Sequence, residues 1–211
     1  MMPSPHQSSY HQLMEKHFVS EHEHILDGFR LGCQIFDSDF RPSFIVGLWR
    51  GGSAVGIVVQ ECLATLGVAT DHIALRTSYT GREEYERNFL NKSAIRVHGK
   101  QYLLDNLQAE DQLLIVDDVY SSGRHTSAVI DSLKVRLKRN TPKEIRIASV
   151  WVRNPPQDSM EEREHPDFYL YETSDWLVLP YELTGLTSSE IAEHKPFLVP
   201  HLARCEKGQK A

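Results

Sequence analysis

The segment Leu113-Leu114-Ile115-Val116-Asp117-Asp118-Val119-Tyr120-Ser121-Ser122-Gly123-Arg124-His125-Thr126 gathers residue types that do chemistry. Its four leading apolar residues read as a buried strand. The strand ends in two adjacent carboxylates, Asp117 and Asp118. A turn of small hydroxyl residues and one glycine follows, and a helix begins near Arg124. In open α/β sheets ligands bind outside the C-terminal ends of strands, where this turn falls. Backbone N–H groups at the helix start point at whatever sits there. Ser121, Ser122 and Thr126 add hydroxyls, and Gly123 lets the backbone come close, so the turn suits a phosphate dianion. Two carboxylates beside a phosphate would repel it unless they face another partner. Ribose hydroxyls donate to carboxylates, and magnesium takes oxygen ligands. The local chemistry is that of a sugar phosphate, with the phosphate on the turn and the hydroxyls on the acids. Helix capping alone accounts for Ser122 but not for two acids directly after a buried strand.

The elements that must hold this segment follow from periodicity. Ile25, Leu26, Phe29, Ile35 and Phe36 recur at roughly helical spacing within Glu21 to Phe36, which predicts a helix packed through that face. Asp37, Ser38, Asp39 and Pro42 break it. Phe44 to Leu48 reads as a buried strand, Gly51-Gly52-Ser53 as a turn, Ala54 to Leu66 as a helix stopped by Gly67, and Val68 to Leu75 as the next strand. Thr77 to Lys100 is rich in charge, Ser and Thr and reads as an excursion with loop character. Gln101 to Leu104 reads as a short strand or turn. A helix from about Arg124 to Lys138 and a strand from Glu144 to Val152 complete a βαβ pattern. That pattern implies a parallel, twisted sheet flanked by helices. Two short apolar stretches follow, Phe168-Tyr169-Leu170 and Trp176-Leu177-Val178-Leu179.

A chain of 211 residues, 40% hydrophobic and 25% charged, is ordinary for a globular protein with a real core. The formal net charge of −6 carries no basic excess, so no nucleic-acid partner is expected. No apolar run approaches the ~20 residues of a membrane span, so no membrane partner is expected either. Met1 to Tyr10 has no basic stretch followed by an apolar run, so no signal peptide is expected. Cys33, Cys62 and Cys205 are far apart in sequence, with no CxxC pair, and read as free thiols in a reducing, cytoplasmic compartment. His6, His11, His17, His22 and His24 crowd the N-terminus. They lack zinc-site spacing and read as a solvated polar segment, with residues 1–15 outside the ordered fold.

The strand, acid pair and small-residue turn resemble the phosphoribosyl pyrophosphate motif of the type I phosphoribosyltransferases. Other segments match in order, over about Glu21 to Leu186. Trp49-Arg50-Gly51-Gly52 follows the first buried strand, where that family places its pyrophosphate loop. Amides at Gly51 and Gly52 with the Arg50 guanidinium suit a pyrophosphate. The resemblance implies a non-proline cis bond at Trp49–Arg50. Ser78-Tyr79 resembles the start of the loop that closes over the site and excludes water.

The tail is similar to the hood of the 6-oxopurine enzymes. The resemblance implies that Trp176 stacks on the purine, that Leu177 reads its edge through the backbone, and that Glu182 helps hold magnesium and pyrophosphate. It also implies that Arg153, where the family usually has Lys, donates to the 6-oxo group. The implied domain spans 16–186, with a hood of about 153–186 and N-terminal residues, and 187–211 as an extension. The implied reaction transfers phosphoribose from phosphoribosyl pyrophosphate to hypoxanthine, guanine or xanthine. Asp117, Asp118 and Arg50 would be catalytic, and Ser121 to Thr126 would hold the 5′-phosphate. Magnesium would be the cofactor, on Asp117, Asp118 and Glu182, and the chain would form a homodimer or homotetramer.

Three positions depart from the pattern. Ser121 stands where many 6-oxopurine enzymes have an Asp thought to handle the proton on purine N7. Tyr120 and His125 replace an aliphatic residue and a Thr or Ser. A serine is no general base at neutral pH without a partner. Ser121 working through water, a poor base, and lost catalysis with retained binding are all left open. So are two rivals, a phosphoribosyltransferase for another base and a nucleotide-sensing regulatory protein.

Overall fold

The computed structural model describes residues 16–78, 95–154 and 165–202. Contacts divide the chain into two units, His22–Ser174 and a second made of Met1–Glu21 with Asp175–Ala211. The larger unit contains, in chain order, α1 (Glu21–Asp37, entering from the unit boundary), β2 (Phe44–Trp49), α2 (Gly51–Thr65), β3 (Asp71–Ser78), β4 (Arg96–His98), α3 (Gln101–Asn106), β5 (Gln112–Tyr120), α4 (Arg124–Leu137), a 3-10 turn (Lys138–Asn140), β6 (Glu144–Arg153) and β7 (Phe168–Thr173). Strand β1 (Lys16–Phe18) belongs to the smaller unit.

The six strands lie in the order β4-β3-β2-β5-β6-β7. β3, β2, β5, β6 and β7 run parallel and β4 is antiparallel at the edge. The apolar runs are continuous because both sheet faces are covered. Successive residues then serve opposite sides. Ile45, Leu114 and Val116 join Leu31, Ile35, Val55, Val59 and Leu63 from α1 and α2 on one face. Val46, Leu48, Leu113 and Ile115 join Leu103 from α3 and Val129, Leu133 and Leu137 from α4 on the other.

The structure corrects several sequence expectations. Gly51-Gly52-Ser53 is the first turn of α2 rather than a loop before it. Gln101–Asn106 is a helix, its Leu103 fully buried. The face that α1 buries is His24, Asp27, Gly28, Leu31, Gly32 and Ile35, while Ile25, Leu26 and Phe29 are 52%, 37% and 40% exposed. Bulk misled the reading here, because close helix packing selected small residues. His24 is therefore not part of a solvated segment. His17 and His22 are exposed, and His6, His11 and the rest of 1–15 lie outside the described residues.

In the smaller unit, β1 (Lys16–Phe18) pairs in parallel with β8 (Trp176–Val178). This joins N-terminal and tail segments, as the hood expectation requires. Helix α5 (Ser188–His194) starts in a capping box, in which the Thr187 hydroxyl accepts from the Glu190 N–H and the Glu190 carboxylate accepts from the Thr187 N–H. Lys16 pairs with Glu190 at 2.6 Å and Phe18 stacks on His194 at 3.7 Å, so β1 is stitched to α5. The Lys16 ammonium is the main cause holding the Glu190 carboxyl down at about 2. No helix among the described residues is long and apolar enough to cross a membrane.

Candidate active site

β2 and β5 are neighbours in the sheet, but the chain leaves β2 toward β3 and β4 and leaves β5 toward β6 and β7. The order reverses between them, and a crevice opens at such a switch point. Two helices begin there. α2 starts one residue after β2, and α4 starts three residues after β5. Neither has a side-chain cap at its N-cap residue, Arg50 or Gly123. Two uncapped helix N-termini beside each other concentrate backbone N–H groups and positive dipole ends where an anion can sit.

The pyrophosphate-type loop touches the acid strand directly. A Cβ on Gly52 would lie 2.3 Å from the Val116 carbonyl oxygen and 2.8 Å from the Asp117 Cα. Only glycine permits this approach, and it joins Arg50-Gly51-Gly52 to the acid pair. The Trp49–Arg50 peptide bond is cis, where the resemblance places it. Trp49 itself is 57% exposed.

Strand β5 runs through both acids to Tyr120, further than the apolar run alone suggested. Asp117 and Asp118 are both half-buried. The Asp118 N–H donates to the Asp117 carboxylate at 3.1 Å, and the Val119 N–H donates to Asp118 at 3.0 Å. Burial, and next the Asp118 charge beside it, push the Asp117 carboxyl well above the usual range. Such a shift favours the neutral carboxyl, whereas an adjacent cation would favour the charged form.

Ser121 and Ser122 are exposed at the turn. Gly123 has φ +67°, and a Cβ there would sit 2.3 Å from the Tyr120 hydroxyl. The unusual Tyr120 thus packs under the turn, in space a side chain at 123 would need. Thr126 is buried and donates to the Gly123 carbonyl at 2.7 Å, which closes the turn from below. His125 Nδ1 lies 2.7 Å from the Thr77 hydroxyl on β3, and burial lowers its pKa. This contact ties the turn to the strand that Ser78 ends. Tyr79 lies outside the described residues. Arg153 ends β6, half-buried, beside Thr173 of β7.

One feature escaped the sequence reading. His24 on α1 lies in the field of Asp118 and of Asp27, whose charges raise its pKa, although burial outweighs them and lowers it. Asp27 in turn accepts from Arg30 at 3.0 Å and from the Tyr171 hydroxyl at 2.9 Å. His24 and Asp27 thus place polar groups of α1 within electrostatic reach of Asp118. Their sequence signal was only a His and an Asp at i, i+3 among the histidines read as solvated.

In the smaller unit Trp176 is 37% exposed, Leu177 is buried and Glu182 is half-buried. The Glu182 carboxylate accepts from the Leu179 N–H at 3.1 Å. Lys195, only 3% exposed, donates to the carbonyls of Leu179 and Pro180 at 2.9 and 2.7 Å. The segment Leu179–Glu182 is thus held by Glu182 from within and by Lys195 from beyond residue 186. Lys195→Met would strand one buried and one half-buried carbonyl. It is expected to cost about 2 kcal/mol of stability, read as a lowered thermal midpoint.

The sheet order, the switch point and the two flanking helix layers make this the fold of the type I phosphoribosyltransferases. No protein-family model and no curated protein matches the sequence. Among solved structures, the chain is similar to a purine phosphoribosyltransferase from Pyrococcus horikoshii, at 21% identity and a TM-score of 0.59, over 83% of this chain and 99% of that one. It is similar to the xanthine-guanine-hypoxanthine phosphoribosyltransferase of Helicobacter pylori, at 16% identity and a TM-score of 0.54, over 78% and 92%. It is also similar to a hypothetical protein from Neisseria gonorrhoeae with bound ppGpp, at 12% identity and a TM-score of 0.63, over 87% and 96%.

Proposed function

We propose that this chain transfers the phosphoribosyl group of phosphoribosyl pyrophosphate to a 6-oxopurine, releasing pyrophosphate. The observation that carries the reading is the meeting of two uncapped helix N-termini beside the Asp117–Asp118 pair at the sheet's switch point. That juxtaposition offers two anion seats with carboxylates between them, which matches a sugar carrying a phosphate at one end and a pyrophosphate at the other. Ser121, Ser122, Gly123, Arg124 and His125 hold the 5′-phosphate, with Thr126 closing the turn. Arg50 and the amides of Gly51 and Gly52 hold the pyrophosphate. Asp117 and Asp118 accept from the ribose hydroxyls.

A purine nitrogen displaces pyrophosphate at the anomeric carbon with inversion, and the nitrogen's proton leaves to solvent or a base. The transition state is oxocarbenium-like, so the protein's part is positioning and electrostatics. Magnesium fits the donor set. No cluster of three or more His, Cys, Asp or Glu among the described residues could hold a metal alone. Magnesium, however, typically takes one or two carboxylates and fills its shell with substrate oxygens and water. Asp117 and Asp118 would hold it, and when bound it would neutralise charge on the departing pyrophosphate. By resemblance, Arg153 at the end of β6 contributes to selecting the base.

Ser121 favours one second reading, a nucleotide sensor that keeps the pocket without turnover. The Neisseria protein of the same fold holds ppGpp. A pyrophosphate-release assay with phosphoribosyl pyrophosphate, magnesium and a panel of hypoxanthine, guanine, xanthine, adenine, orotate and uracil separates the readings. Release with a 6-oxopurine is the expected result. Release with another base only would overturn the purine assignment. Silence with every base, together with nucleotide monophosphate binding, would establish the sensor.

A further inference from the structure

Helices α1 and α2 cross at unusually close range. A Cβ on Gly28 would lie 2.7 Å from the Val58 Cγ1, and one on Gly32 would lie 2.7 Å from the Cys62 Cβ and 2.8 Å from its Sγ. Glycines one turn apart on α1 thus receive Val58 and Cys62, one turn apart on α2. The residue after Gly32 is Cys33. Its Sγ lies 3.7 Å from the Cys62 Sγ, although the two thiols are 29 residues apart in sequence. Cys33 is exposed and Cys62 is buried. The Cys62 Sγ also lies 3.4 Å from the Phe29 carbonyl of α1, to which the thiol donates. Neither cysteine belongs to the site described above.

We propose that Cys33 and Cys62 are a dithiol pair that closes to a reversible disulfide when the protein meets a peroxide or a small disulfide oxidant, with Cys33 reacting first. Accessibility sets the order, because Cys33 is exposed to an oxidant in solvent and Cys62 is buried. Burial, with the neighbouring Cys33, holds the Cys62 thiol up at about 11, so it is unreactive toward solvent reagents by itself. Its proximity to Cys33 substitutes for nucleophilicity, as oriented neighbours react at high effective concentration.

With peroxide, the Cys33 sulfur takes one oxygen to become a sulfenic acid and one water is released. The Cys62 sulfur then attacks it, the S–O bond breaks, an S–S bond forms and a second water leaves. Two thiols lose two electrons and two protons, and the peroxide gains them. Closure needs the sulfurs to approach to about 2.05 Å, a shift within reach of side-chain rotation and small helix adjustment. The bond ties α1 to α2, the helix whose first turn is Gly51-Gly52-Ser53.

The test uses the full chain carrying Cys205→Ser, so that only the pair remains. It is treated with stoichiometric hydrogen peroxide or diamide, then alkylated under denaturing conditions and mapped by mass spectrometry. The expected result is a linked Cys33–Cys62 peptide two hydrogens lighter than the free pair. Both thiols return on adding dithiothreitol, and the oxidised form has a higher thermal midpoint, since the crosslink restricts the unfolded chain. In Cys33→Ser, Cys62 should stay unmodified in the native protein. Cys33 overoxidised or adducted alone, with Cys62 still titrating, would overturn the pair. Equal labelling of Cys62 with and without Cys33 would overturn the order.

Discussion

Asp117→Asn with Asp118→Asn is expected to lower phosphoribosyl transfer by about 10³-fold or more while the chain stays folded. In the proposed site the two carboxylates would face the ribose hydroxyls and a cation, and amides of the same size keep the packing but accept those hydroxyls less strongly and hold no cation. Asp117 makes the prediction sharper, because activity and stability should move in opposite directions. Its carboxyl is pushed up by burial and by Asp118, so the folded state binds its proton more tightly than the unfolded state does. The folded chain then carries more protons across the window between the unfolded value of 3.8 and the higher folded value. Stability attributable to this group therefore falls as pH rises through that window. Asp117→Asn removes the burden of ionising a crowded acid. The single variant should melt higher than the parent at neutral pH, and the difference should vanish below about pH 4, where both side chains are neutral. Thermal melts of both proteins from acid to neutral pH check the sign. A variant that melts lower at neutral pH would mean that Asp117 stabilises the fold.

The second large effect is expected at Gly52→Ala. The methyl would meet the Val116 carbonyl oxygen at 2.3 Å and the Asp117 Cα at 2.8 Å, and both are backbone atoms of a central strand. No rotamer change relieves such a contact, so either α2 shifts or β5 does. The expected cost is about 3 kcal/mol of stability. Activity should fall further than stability explains, because the shift separates the Gly51–Gly52 amides from the acid pair. Denaturant unfolding and steady-state kinetics on the same preparation separate the two effects. Gly67→Ala is the contrast, since a Cβ there meets nothing within 4 Å and only the positive φ of +87° is strained.

The local structure of the candidate site was legible because it is contiguous. A buried strand, two acids, a small-residue turn and a helix start are contiguous, and hydrophobic run length and turn residues report them without tertiary information. The sheet was legible for the same reason, since each βαβ unit declares itself in continuous apolar runs. What was hidden depends on close approach. The buried face of α1 was misread because Gly28 and Gly32, not Phe29 or Leu26, make the contact, and a glycine carries no hydrophobic signal. The same approach brings Cys33 to Cys62, which sequence distance conceals. His24 and Asp27 were lost among exposed histidines, and only their position behind Asp118 distinguishes them. Lys195 gave no signal at all, since a lysine in a polar tail reads as solvated until its two carbonyl partners are seen. The Thr187-Ser188-Ser189-Glu190 capping box was readable in the sequence and would have placed the start of α5.

Titration of the full chain with phosphoribosyl pyrophosphate in the presence of magnesium, followed by calorimetry, tests the sugar-phosphate site most directly, with the Asp117→Asn/Asp118→Asn protein alongside. The expected result is saturable binding of one equivalent to the parent chain, strengthened by magnesium and largely lost in the double variant. No binding, or binding that the double variant retains in full, would contradict it.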